Sequence, residues 1–130
     1  MNERRYKVYA SVKFFSVLLF FLSSLSLIAQ STAEVNKEAI ITDARKQLVA
    51  MSAPEGELYK FVTKNNIKGE FIVDLTLVGK GKIVTVFMAS STAETIQTQN
   101  QLKSKLMEIE FSNIKIEKKE RIKFRHTLTF

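Results

Sequence analysis

The hydrophobic positions of this chain change period three times, and each change marks an element boundary. From Glu34 to Met51 the spacing is helical: Ile41, Ala44, Leu48 and Met51 share one stripe, which Val35, Ala39 and Ile40 widen. Ser52-Ala53-Pro54-Glu55 breaks the stripe and restarts it. Ser52 reads as an N-cap, with Glu55 three residues on and the only proline of the chain in the first turn. The spacing predicts a short helix over Pro54–Lys64 that buries Leu58, Phe61 and Val62. Asn65-Asn66 suits its end, because asparagine tolerates left-handed backbone.

The period then drops to two. Over Glu70–Val78, Phe71, Val73, Leu75 and Leu77 fall on one face of a strand, and Ile72, Asp74, Thr76 and Val78 on the other. Gly79-Lys80-Gly81 is a tight-turn signal, and Lys82–Ala89 returns as an antiparallel partner rich in β-branched and aromatic residues. Both faces of this hairpin carry apolar side chains. The second face therefore needs cover, from the N-terminal helices or from a second copy of the protein.

Helical spacing resumes after Ser91. Ser91-Thr92-Ala93-Glu94 has capping-box spacing and predicts a helix over residues 92–110 with a narrow stripe of Ile96, Leu102, Leu106 and Ile109. Ser112–Glu120 is a polar connection in which Ile114 and Ile116 alternate with lysines. The last ten residues, Arg121–Phe130, alternate again. Ile122, Phe124, His126, Leu128 and Phe130 point inward, while Lys123, Arg125, Thr127 and Thr129 form an outward row. The sum is an α+β fold: a small antiparallel sheet of strands 70–78, 82–89 and 121–130, with helix 92–110 packed on one face. A charged outward row also marks a sheet edge, either blunted against aggregation or held ready to pair.

The first thirty residues do not belong to that pattern. Arg4, Arg5, Lys7 and Lys13 precede an apolar run of 16 residues from Phe14 to Ala29, and small residues follow at Ala29-Gln30-Ser31. This is the make-up of a secretory signal cleaved near Thr32. The competing reading is a retained membrane anchor, although a bilayer core of ~30 Å asks for roughly 20 residues. Three parts follow: residues 1–31 as signal or short anchor, 32–53 as a helical segment, and 54–130 as the α+β domain. The expected location is periplasmic or secreted.

Charge and composition narrow the chemistry. The chain holds 20 basic and 13 acidic residues, but from Thr32 onward 16 face 12, an ordinary surface balance. The excess gathers over Lys115–Arg125, which reads as a solvated face or as a docking patch for an acidic partner. The absence of cysteine excludes disulfides, a thiol nucleophile and a Cys-based zinc site. His126, the single histidine, sits among Phe124, Leu128 and Phe130, with no Gly-x-Ser-x-Gly elbow elsewhere in the chain. No D-x-D-x-D-G loop appears, and the acidic pairs Glu55/Glu57, Glu108/Glu110 and Glu117/Glu120 sit on polar surfaces. Alternation turns Phe124 away from Lys123 and Arg125, which argues against a nucleic-acid face. The expectation is a non-enzyme without metal or cofactor, binding no nucleic acid and no identifiable small molecule. Its partner would be a protein or its own copy, met through Arg121, Lys123, Arg125, Thr127 and Thr129, and a membrane only if the apolar run is kept.

The stretch from Pro54 to Phe130 resembles the C-terminal domain of TonB, the energy transducer of the Gram-negative periplasm. The likeness rests on PEGELYKFVTKNN as the preceding short helix, the glycine-turn hairpin VDLTLVGKGKIVTVFMASS, a following helix, and KKERIKFRHTLTF as a terminal strand after a Lys-rich turn. It implies an α+β interaction domain in the cell envelope. The departures bear on activity. TonB-like transducers carry a long Pro-rich linker and usually a histidine in the membrane helix, whereas this chain has one proline and no histidine in Phe14–Ala29. Residues 31–54 as helix would reach only ~36 Å. The resemblance thus implies the fold and not energy transduction.

Overall fold

In the computed structural model, which describes residues 34–93 and 95–130, β1 (Glu70–Val78) runs down the middle of a three-stranded antiparallel sheet. It lies between β2 (Lys82–Ser91) and β3 (Ile122–Thr129). The strict alternation of β1 explains its place: Phe71, Val73, Leu75 and Leu77 are all fully buried, which a central strand achieves most readily. β3 aligns with β1 without interruption from Glu70↔Thr129 to Leu77↔Ile122. β2 has two register shifts, which leave Val84 and Ala89 without a cross-strand partner and bend that edge.

Three helices cover the face that carries the odd-numbered residues of β1. They are α1 (34–52), α2 (Glu57–Lys64) and α3 (Ile96–Met107). Ile41, Ala44 and Leu48 of α1, Leu58 and Val62 of α2, and Leu102 and Leu106 of α3 join the strand residues in one hydrophobic core. The helical stripe read over residues 34–51 holds at Ile41, Ala44 and Leu48, with Ile40 and Met51 partly buried beside them in the unit Ala39–Phe130, whereas Val35 and Ala39 are exposed and do not widen it. Residues 1–31, expected to be a signal or short anchor, lie outside the described residues.

The segment after α3 closes the hairpin end. Phe111 N–H donates to the Gly81 carbonyl at 2.9 Å, and Ile116 N–H donates to the Gly79 carbonyl at 2.6 Å. Glu110 bridges Lys82, and Ile83 N–H donates to the Ile109 carbonyl at 3.5 Å, so this segment caps the start of the outer edge of β2. Phe111, Ile114 and Ile116 are buried, which makes the connection far more than a polar loop.

Several local expectations shift. α3 starts later than residue 92 because Thr95, whose Oγ1 accepts from Thr98 N–H, is the cap. The Ser91 hydroxyl instead accepts from Ala93 N–H at the end of β2, which runs on to Ser91. Ile96 is 75% exposed, outside the buried stripe. Ser52 is the last residue of α1 rather than the N-cap of α2, and α2 follows Gly56 with no side-chain cap. Asn65 and Asn66 do end α2, Asn66 taking φ 54°. The second face of the sheet is not covered by α1 or α2, which pack on the first, and its Ile72, Asp74, Thr76 and Val78 are half-buried.

The hairpin turn gives a direct stability test. Gly79 and Gly81 both have positive φ, at 56° and 85°. A Cβ on Gly79 would meet open space, whereas one on Gly81 would stand 2.9 Å from the Phe111 carbonyl oxygen. Gly79→Ala is expected to cost about 1–2 kcal/mol and Gly81→Ala more, on the order of 3 kcal/mol. Urea denaturation measures both, and equal losses would contradict the clasp by Phe111.

Candidate functional site

The edge of β3 follows from one pair of hydrogen bonds. Gly69 and Phe130 exchange both backbone bonds at 3.0 Å, so this is a hydrogen-bonded pair of the antiparallel ladder. Alternation then assigns the next such pairs to Leu128, His126, Phe124 and Ile122, which face β1. Thr129, Thr127, Arg125 and Lys123 turn their N–H and C=O groups away from the sheet. Their side chains are exposed on the face that no described helix covers. Arg121 lies just before the strand and is exposed too. The predicted outward row is thus one surface, carrying both side chains and free backbone groups.

Cross-strand neighbours organise this face into rows. Thr127, Ile72 and Ser90 form one, Arg125, Asp74 and Phe87 the next, and Lys123, Thr76 and Thr85 the third. Arg125 grips Asp74 with both ends of its fork, Nε to Oδ1 at 2.8 Å and Nη2 to Oδ2 at 2.9 Å. The Asp74 side chain is 12% exposed while that of Arg125 remains 61% exposed. This fork lowers the Asp74 pKa, against a smaller opposing effect of burial, and raises that of Arg125. Arg125 is therefore committed to its own sheet. Among the described residues Arg121 and Lys123 make no ion pair, unlike Arg125.

One further residue reaches the edge, and the sequence pattern did not single it out. Arg45, exposed on α1, donates from Nη2 to the Arg125 carbonyl at 3.1 Å. Its guanidinium carbon lies 5.8 Å from the centre of the Phe124 ring, within cation–π range. That carbonyl is one of the outward-facing groups of β3. The available signal was slight: a base beside the buried Ala44, which says nothing about a strand 80 residues away.

His126 lies between Phe124 and Leu128 on the inner side and is half-buried. Burial, and secondly the positive charge of Arg45, hold its pKa below the ordinary histidine value. It is placed as a packing residue next to the edge, with the guanidinium as its charged neighbour.

A second concavity lies between the end of α2 and α3. It is a groove of about 580 Å³ lined by Phe61, Asn65, Gln97, Asn100, Gln101 and Ser104. Lys105 borders it but is already ion-paired with Glu57 at 2.7 Å and rests over the Phe61 ring. Among the described residues no three of His, Asp and Glu gather to hold a metal. The edge of β3 is the better-defined feature, because free backbone groups and charge converge there.

Two titrations are expected in the stability curve. The folded pKa of His126 is below its unfolded value, so stability is full above about pH 6.5 and declines as the pH falls below it. Asp74 is depressed as well, so its contribution holds above about pH 4 and is lost as the pH falls further. Thermal melts between pH 3 and 8 should show both declines. His126→Gln should remove the upper one and Arg125→Met should shrink the lower one; unchanged curves would contradict these assignments.

In comparisons with known proteins no family model matches the chain, and no curated protein or solved structure matches it.

Proposed function

We propose that this protein is an exported, non-catalytic interaction module that adds an extended strand to the edge of β3. The observation that carries this reading is the outward row itself. Lys123, Arg125, Thr127 and Thr129 turn their backbone N–H and C=O groups outward along one uninterrupted strand, with the Arg125 carbonyl covered by Arg45. Main-chain pairing supplies affinity in such strand addition, and the flanking side chains supply selectivity. The opposite edge of the sheet is bent by two register shifts and capped at its start by Glu110, which leaves β3 as the straighter template. The incoming strand is a partner's peptide or a second copy of this chain. The order of short helix, hairpin, helix and terminal strand is the one on which the likeness to the TonB C-terminal domain rests, and it supports an envelope interaction domain.

Hydrogen exchange tests the edge. In the free protein the amides of Lys123, Thr127 and Thr129 should exchange fast and those of Phe124, His126 and Leu128 slowly. A synthetic decapeptide alternating Glu and Val should slow the first set. Thr127→Pro removes one outward N–H without touching the β1 ladder, since proline is tolerated on the free side of an edge strand. The variant should fold and lose at least tenfold in peptide affinity. Undiminished binding would sink the edge reading.

The alternative is a membrane-tethered structural or regulatory part of an envelope complex, favoured by the apolar run Phe14–Ala29. Intact mass and N-terminal sequence from separated fractions decide between them. Export with cleavage predicts a soluble chain beginning near Thr32. A full-length chain held in the membrane fraction would establish the tether instead.

A further inference from the structure

We propose that Arg45 selects the strand that binds at the β3 edge, and that the strand it selects is acidic. This rests on the strand-addition reading and goes one step further, to the chemistry of the occupant. Arg45 reaches the edge from α1, on the helix side of the sheet, whereas Lys123 lies on the open side. A strand laid against β3 therefore passes between two sources of positive charge. Its side chains alternate, one set toward Arg45 and the other toward Lys123. Glu70, at the far end of the edge beside Thr129, and Asp74, already held by Arg125, are the acids nearby on β1. The unsatisfied charge at the basic end calls for a carboxylate.

The contact Arg45 makes in the free protein defines its part. Its Nη2 occupies the Arg125 carbonyl, a group that an added strand must use for its own N–H. Strand addition displaces the guanidinium. For a neutral strand this displacement is a cost, because a hydrogen bond is exchanged and nothing is returned to the arginine. For a strand with a carboxylate opposite Phe124 or His126, the guanidinium trades a neutral carbonyl for a charged acceptor. Charge-assisted bonds of this kind are roughly twice as strong as neutral ones, and the fork can engage both carboxylate oxygens. The Phe124 ring beneath it keeps the guanidinium close to the edge during the exchange. The same residue thus opposes neutral strands and favours acidic ones. A second copy of this chain fits less well where β3 pairs with itself about a two-fold axis near Arg125, since that would bring the Arg45 of each copy to the same place.

The test is a crossover. Three decapeptides alternate Val with Glu, with Gln or with Lys, and fluorescence anisotropy at one fixed low ionic strength measures binding to the full chain. The wild type should bind the Glu peptide about tenfold more tightly than the Gln peptide and the Lys peptide weakest. Arg45→Met should weaken the Glu peptide by about fivefold while leaving the Gln peptide equal or tighter. Arg45→Lys keeps the charge without the fork and should fall between. Equal losses for Glu and Gln peptides would show a merely structural role and overturn the proposal. Binding that Thr127→Pro abolishes but Arg45→Met leaves untouched would overturn the role of Arg45 alone. Failure of every peptide to bind the wild type would overturn the strand-addition reading and this proposal together.

Discussion

Everything in this fold depends on β1 being satisfied on three sides. Its backbone is bonded to β2 and β3, and its inner side chains Phe71, Val73, Leu75 and Leu77 are sealed under the helices. Burial of four large apolar side chains on one nine-residue strand is worth several kcal/mol and fixes the register, because a slip of one residue would turn them all to the opposite face. β3 aligns on that strand through eight consecutive partners. Once its even-numbered residues are committed to β1 and the core, its odd-numbered residues have no choice but to face outward. The outward edge is thus a consequence of the core.

Two interactions then shape the edge without belonging to the core. The fork from Arg125 to Asp74 ties β3 to β1 across the open face, and the exposure of the Arg125 side chain keeps its contribution to stability small. Its effect is to use up one cation of the row. Arg45, from the other side, covers one outward carbonyl. Natural sheets protect free edges with charges and short covers of this sort. Here the cover is a single exposed side chain on a helix, held by one hydrogen bond to the edge.

Where the sequence was legible, it was so for a physical reason. The alternation of β1 and β3, the glycine turn and the apolar stripe of α1 all have one dominant period and one buried face, so pattern alone places them. The outward row of Lys123, Arg125, Thr127 and Thr129 was visible for the same reason. The start of α3 was not, because Ser91 and Thr95 both offer a hydroxyl cap and only the end of β2 decides between them. The role of Ser112–Glu120 was hidden by its lysines, since Phe111, Ile114 and Ile116 are buried against the hairpin end by backbone bonds that carry no sequence signature. The commitment of Arg125 to Asp74 needed the register of two strands 51 residues apart. Arg45 needed the packing of a helix over a strand, which no local pattern encodes.

The most direct measurement of the central claim is a set of intermolecular nuclear Overhauser effects between the labelled protein and the unlabelled acidic peptide. In an antiparallel ladder the α-protons of non-hydrogen-bonded pairs approach most closely, with α-carbons about 4.5 Å apart. Relative to a strand added antiparallel on β3, those positions are Phe124, His126 and Leu128. Contacts from their α-protons to peptide α-protons, at every second residue, are the predicted result. Contacts confined to Phe87, Thr85 and Ser90, on the other side of the open face, would contradict it and move the binding surface off the edge.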